Sequence, residues 1–252
     1  MKPVWIVTTM RSGSSYLCYL LNSILKPDPK ITEWLSLAGS RQMYGKDTVG
    51  MNKDQRTKLF KEKGIPHNLK LPYVHYKQLA ESKALIEQLK PAIIYLDRAN
   101  NIDKAVSEYF MKTTQVAHLS TDTKLSKKAD PITSMNKPTD KIIKKYRKGI
   151  NRDQLMKIYN DTVRRNKKCK ELVGTFDKHL HVSYNELNNQ PKVTLRKICP
   201  FLGVKIDDKL INEAVAKCPF ITTRKKCSEQ YKRAKEILQN KVKSEVQCYH
   251  TI

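Results

Sequence analysis

The chain has no apolar run long enough to cross a membrane, which excludes a membrane span at this level. It has no Cys-x-x-Cys pair and no His/Cys cluster at zinc spacing. Its cysteines, at positions 18, 169, 199, 218, 227 and 248, are therefore expected to be free thiols in a reducing compartment, with no metal site. No internal repeat is visible, which excludes a solenoid or propeller. The apolar stretch Val4 to Val7 is too short for a signal peptide and leads into polar residues. Acids are scarce: 24 Asp+Glu against 49 Lys+Arg leave a net charge of +25. Such a balance implies an anionic partner: nucleic acid, a membrane surface or a polyanionic small ligand. A length of 252 residues allows a substantial core and suits one large α/β domain.

One stretch organises the rest. Val4-Trp5-Ile6-Val7 is apolar without alternation, as in a parallel strand covered on both faces. Thr8 to Ser15 form a polar turn in which Gly13 supplies a permissive backbone. Leu17, Leu20, Leu21 and Ile24 then recur at helical spacing, so a helix packs one face on the sheet, with Ser12, Ser14 or Ser15 as its cap. Strand, tight turn and helix start make an anion site, because the first N–H groups and the positive end of the helix dipole point outward. Arg11 adds a fixed charge. A nucleoside-triphosphate loop needs Gly-x-x-x-x-Gly-Lys-Ser/Thr, and no Lys lies between Pro3 and Lys26.

Further along, Leu69 to Tyr76 reads as an extended segment, with Pro72 at an edge or strand end. Gln78 to Lys90 reads as a helix stopped by Pro91, and Ala92-Ile93-Ile94-Tyr95-Leu96 as a second buried strand. Ile102, Ala105, Val106, Tyr109 and Phe110 mark the helix after it. The alternation predicts an α/β fold with a central parallel sheet flanked by helices. Ligands of such sheets sit at the carboxyl ends of strands, so Arg11 and Arg98 both face one crevice. Residues 120–150 are lysine-rich with Pro131 and Pro138, and read as an insertion or lid. Asn151 to Val173, Pro191 to Leu202 and Asp207 to Ala216 read as helices, His179 to Tyr184 as a short strand, and Thr223 to Lys243 as a basic, helix-compatible tail.

Arg11-Ser12-Gly13-Ser14-Ser15-Tyr16-Leu17 after a first strand resembles the loop by which sulfotransferases hold the 5′-phosphosulfate of PAPS (3′-phosphoadenosine 5′-phosphosulfate). Tyr95-Leu96-Asp97-Arg98 with Lys104-Ala105-Val106-Ser107 is similar to that family's 3′-phosphate signature, with Ser107 nine positions after Arg98. Val182-Ser183-Tyr184-Asn185-Glu186-Leu187, then Pro191 and Phe201-Leu202-Gly203, is similar to a late packing segment of the same family. The three occur in family order over residues 4 to 204. Thr32-Glu33-Trp34, Lys70 with His75 behind it, and Gln115 to His118 resemble the bacterial branch of trehalose 2-sulfotransferase.

The resemblance implies a P-loop-NTPase-like sulfotransferase fold over residues 1–252 as a single domain. It implies PAPS as co-substrate, PAP (3′,5′-adenosine bisphosphate) as product and no metal. Arg11, Ser12, Gly13, Ser14, Ser15, Tyr16, Arg98 and Ser107 would bind the co-substrate, with Arg224 as a late basic contact. Glu33 would be the general base, its apolar neighbours raising its pKa, and Arg11, Lys70 and His75 would complete the catalytic set. His67, His118, His179 and His181 compete with Glu33 and His75 for the base. The acceptor would be a hydroxyl of a carbohydrate, a glycolipid or another small molecule, with no nucleic acid and no membrane span. The chain begins almost at its loop, where Golgi sulfotransferases carry an anchor, so a cytoplasmic enzyme is expected. Two rival readings remain: a P-loop kinase-like phosphotransferase, and a basic nucleic-acid-binding protein.

Overall fold

The computed structural model describes residues 3–26, 31, 55, 58, 62, 69–72, 87, 89–114, 118–119, 135–136, 149–217 and 228–249. These fall into two compact units, Met1–Arg98 with Lys168–Phe220, and Ala99–Lys167 with Ile221–Ile252.

The first unit is built on β1 (Val4–Thr8), β2 (Leu69–Pro72), β3 (Ala92–Asp97) and β6 (His179–Ser183), all parallel, in the order β2-β1-β3-β6. β1 is buried at every residue, which explains its unbroken apolar run. Alternation then divides its side chains. Val4 and Ile6 join Ile94, Leu96 and Val182 on one face, beneath α1 (Ser14–Leu25) and the later helices α4 (Tyr184–Asn189), α5 (Pro191–Phe201) and α6 (Asp208–Lys217). Val7 joins Ile93 and Tyr95 on the other face, against Cys169, Val173 and Phe176. The sheet is thus covered on both faces, as the parallel α/β class requires. Ile31 is fully buried in the first cluster, and Asn22 clasps its backbone, donating to Ile31 O at 2.9 Å and accepting from Ile31 N at 2.8 Å.

The sequence expectations fare unevenly at the element ends. β2 ends at Pro72 and lies at one side of the described sheet, as a proline there demands. α5 closes at Phe201, and Gly203 takes φ 71 beyond it, the left-handed turn that a glycine supplies most cheaply. The serine caps expected on α1 do not form: its N-cap is Gly13, at φ 83, and no side chain caps the helix. The left-handed Gly13 occupies the capping position, and glycine has no side-chain oxygen to offer the first N–H groups. Cys18, Cys169 and Cys199 are buried and take part in no disulfide, and burial pushes the Cys199 thiol up to about 11.

The second unit holds α2 (Asn101–Thr114), a two-residue pair β4 (His118–Leu119) and β5 (Met135–Asn136), most of α3 (Arg152–Val173), and α7 (Ser228–Tyr249). α2 therefore ends four residues before His118, which opens β4 instead of ending the helix. Ala105, Val106, Tyr109 and Phe110 of α2 pack on Leu155, Ile158, Ala234 and Leu238. Its other face is polar and buried. Glu108 accepts from Arg165 at 2.5 Å and forms an ion pair with Lys112 at 2.8 Å. Lys104 is 1% exposed and donates to Asn166 Oδ1, and Asn166 donates to Asn101. Lys235 pairs with Asp103 at 2.5 Å, while Tyr231 donates to the Asp103 carbonyl at 3.1 Å. Of the lysine-rich 120–150 segment, residues 135–136 and 149–150 are described and the remainder lies outside the described residues. Among the described residues no helix is long and apolar enough to cross a membrane.

Candidate functional site

Parallel register brings three strand ends to one level. Thr8 of β1 pairs with Leu96 of β3, and Leu96 with Val182 of β6. The Thr8 hydroxyl ties the first two ends together by donating to Leu96 O at 2.8 Å. The segments that leave the three strands therefore emerge on one rim: Thr9 to Gly13 after β1, Arg98 after β3, and Tyr184 after β6. This is the edge at which open parallel sheets bind ligands.

The turn after β1 carries two left-handed residues, Arg11 at φ 64 and Gly13 at φ 83. A non-glycine residue in that region is strained by about 1–2 kcal/mol, so something must hold it. Arg98 does so in part, donating from Nη1 to the Arg11 carbonyl at 3.3 Å. Inside the turn the Thr9 and Ser12 hydroxyls lie 3.4 Å apart, and Ser12 is fully buried. α1 then starts directly, with Leu17 N donating to Gly13 O at 3.1 Å. Ser14 and Ser15 sit half-buried in its first turn, and Tyr16 is buried.

Arg98 is only 4% exposed, and its guanidinium lies over the Tyr184 ring, 4.3 Å from the centroid. The same ring covers the turn. A Cβ at Gly13 would stand 3.0 Å from Tyr184 Cδ2 and 3.3 Å from Cε2. Gly13 is thus demanded twice, by its backbone angle and by the ring above it. Tyr184 itself is the first residue of α4, whose start is fixed by a capping box. Ser183 N donates to Glu186 Oε2 at 2.7 Å, and Glu186 N donates to Ser183 Oγ at 3.1 Å. Those bonds to Ser183, with Lys197 behind them, hold the Glu186 carboxyl below its ordinary range.

Of the residues singled out by sequence, Arg11, Ser12, Gly13, Ser14, Ser15, Tyr16 and Arg98 belong to this rim. Lys70 lies on β2, its backbone in register with Ile6. Ser107 is half-buried on α2 in the second unit. Glu33, His75 and Arg224 lie outside the described residues, as does His67. His179 and His181 are exposed on β6, and His181 stacks on Tyr95 with centroids 5.3 Å apart. Tyr184 was not singled out for the site by sequence, although it obeys the rule that found Arg11 and Arg98: it stands immediately past a parallel strand.

The sulfotransferase domain model matches residues 1–249, almost the whole chain. The chain belongs to the sulfotransferase domain family. Among solved structures, this sulfotransferase domain is similar to a mouse sulfotransferase complexed with PAP, at TM-score 0.46 and 17% identity. That match covers 86% of this chain and 63% of the mouse chain, so the domain here spans less than two thirds of its length. A sulfotransferase from Alicyclobacillus acidocaldarius matches at TM-score 0.40 and 15% identity, over 86% of this chain and 91% of that one. The sulfotransferase domain of the Synechococcus PCC 7002 olefin synthase matches at TM-score 0.39 and 14% identity, over 92% and 94%. No curated protein matches the sequence. The α/β architecture expected from the strand–helix alternation is that of the family.

Proposed function

We propose that this chain is a PAPS-dependent sulfotransferase acting on a hydroxyl of a carbohydrate, glycolipid or other small acceptor, in the branch that resembles trehalose 2-sulfotransferase. The observation that supports it most is the rim itself: a helix N-terminus, the Arg11 turn and the Arg98 guanidinium at the ends of adjacent parallel strands. The donor set fits a phosphosulfate and a phosphate, since guanidinium and backbone N–H groups donate and carry positive charge. The loop signature separates this reading from a kinase-like one, because the loop has no Lys for a triphosphate.

Bound PAPS would supply the activated sulfuryl group and a phosphate leaving group. On the protein side, the first turn of α1 and Arg11 hold the leaving phosphate and stabilise charge that grows on its oxygens. Arg98 holds the 3′-phosphate, and the family resemblance assigns Ser107 a hydroxyl contact to the same group. Glu33 would take the acceptor proton as general base, and Lys70 and His75 would complete the catalytic set. Arg224 would add a basic contact to the co-substrate, and the chain would act as a single-domain enzyme. The three described cysteines, buried and outside any disulfide, support a reducing, cytoplasmic setting.

The deciding experiment is transfer of label from PAPS to a panel of sugars, glycolipids and small alcohols, alongside thermal shifts with PAP and ATP. Label transfer with stabilisation by PAP is expected. Stabilisation by ATP alone would move the chain to the phosphotransferases. Salt-sensitive binding to random oligonucleotides, with no response to PAP, would favour the nucleic-acid reading.

A further inference from the structure

We infer that Tyr184 is a positioning residue for the anion site, acting through Arg98 and the Gly13 turn; this rests on the sulfotransferase reading above. The Arg98 guanidinium stands 4.3 Å from the Tyr184 centroid at 4% exposure, so the contact is desolvated. Stacking engages the flat face of a guanidinium and directs its edge, where the N–H donors lie, across the rim. One of those donors reaches the Arg11 carbonyl at 3.3 Å. The ring also meets the turn, with Cδ2 at 3.0 Å from a Cβ on Gly13. One aromatic plate therefore sets both the second cation and the backbone that opens α1.

The plate is itself held. The capping box at Ser183 and Glu186 fixes the backbone on either side of Tyr184. Lys197 donates to the His181 carbonyl at 3.0 Å and pairs with Glu186 at 3.5 Å, which ties the same turn to α5. Leu187 lies 3.8 Å from the same Cβ position on Gly13. A ring that only filled the core would lower stability when removed and leave ligand affinity alone.

The test compares Tyr184→Phe, which keeps the ring, with Tyr184→Leu, which removes it. PAP affinity in Tyr184→Phe stays within roughly threefold of the starting protein, whereas Tyr184→Leu weakens PAP roughly 3- to 30-fold, the span of a cation–π contact. KM for PAPS rises in the Leu variant with kcat changed far less. In an Arg98→Ala background Tyr184→Leu adds less than about twofold, because the two act as one unit. A ligand-free arm follows the Arg98 Nε–Hε resonance by NMR, which shifts in Tyr184→Leu and not in Tyr184→Phe. If Tyr184→Leu does not fold, Tyr184→Met is measured in its place. Equal losses in the Phe and Leu variants would assign the effect to the hydroxyl, and unchanged affinity with an unmoved resonance in Leu would reduce the ring to packing; either overturns the inference. Absence of PAP binding by the unmutated protein sinks the sulfotransferase reading instead, and the NMR arm still decides where Arg98 is held.

Discussion

Gly13 and Tyr184 are in contact, so that a methyl group on the glycine would meet the ring at 3.0 Å. The strand-end turn and the start of α4 are 171 positions apart in sequence, from 13 to 184, yet they form one surface. Gly13→Ala combines a left-handed backbone at φ 83 with a clash against a buried ring. It is expected to destabilise by about 2–5 kcal/mol, the sum of strain and local repacking. Urea unfolding measures this; an unchanged midpoint would mean that the turn relaxes freely.

Arg98 anchors the second strand end. Arg98→Ala is expected to weaken PAP by about 1.5–3 kcal/mol, the worth of hydrogen bonds to a charged group. Arg98→Lys is expected to recover little of that, because Lys lacks both the flat stacking face and the forked donors. Titration calorimetry decides, and full affinity in the Lys variant would show that only charge matters.

The general base is open to a direct test. Glu33→Gln keeps shape and removes basicity, so PAP binding should persist while turnover falls roughly 10²- to 10⁴-fold. Normal turnover in this variant, with a dead His75→Ala or His118→Ala, would pass the role to histidine.

Glu108 is the polar core of the second unit. Its side chain is 2% exposed and faces Arg165 at 2.5 Å and Lys112 at 2.8 Å. Glu108→Ala leaves the Arg165 cation, itself 16% exposed, without that carboxylate. The expected loss is about 3–5 kcal/mol, as when one partner of a buried pair is removed. Denaturant unfolding reads it, and a loss under about 1 kcal/mol would place this pair with ordinary surface bridges.

The capping box gives a pH dependence. Bonds from the Ser183 backbone and hydroxyl, then Lys197, depress the Glu186 carboxyl below its ordinary range. A depressed carboxyl stabilises the fold above its unfolded pKa, and that stability drains away as pH falls through the folded value. Glu186→Gln keeps an acceptor and has no such titration. The melting-temperature gap between the two proteins should therefore narrow below about pH 4. A gap independent of acidity would show that the carboxylate charge contributes nothing to the cap.

Apolar runs and loop composition were enough to place β1, β3, α1 and the Arg11 turn, since short-range patterning dictates burial and helix starts. The same patterning pointed to a parallel sheet and to Arg11 and Arg98 on one rim, because a residue just past a parallel strand has only one edge to face. It misjudged the cap of α1, where serines were the better local candidates and the left-handed Gly13 took the position. It also left Tyr184 among packing residues. Which strand lies beside β3, and in what register, is settled by pairing across 80 and more positions, from Ile93 with His179 to Asp97 with Ser183. Only that register sets the Tyr184 ring over Gly13 and beneath Arg98. Local sequence determined which elements exist and where their charged turns fall; the tertiary structure decided which turns meet, because contacts between distant segments depend on sheet order and not on neighbouring residues.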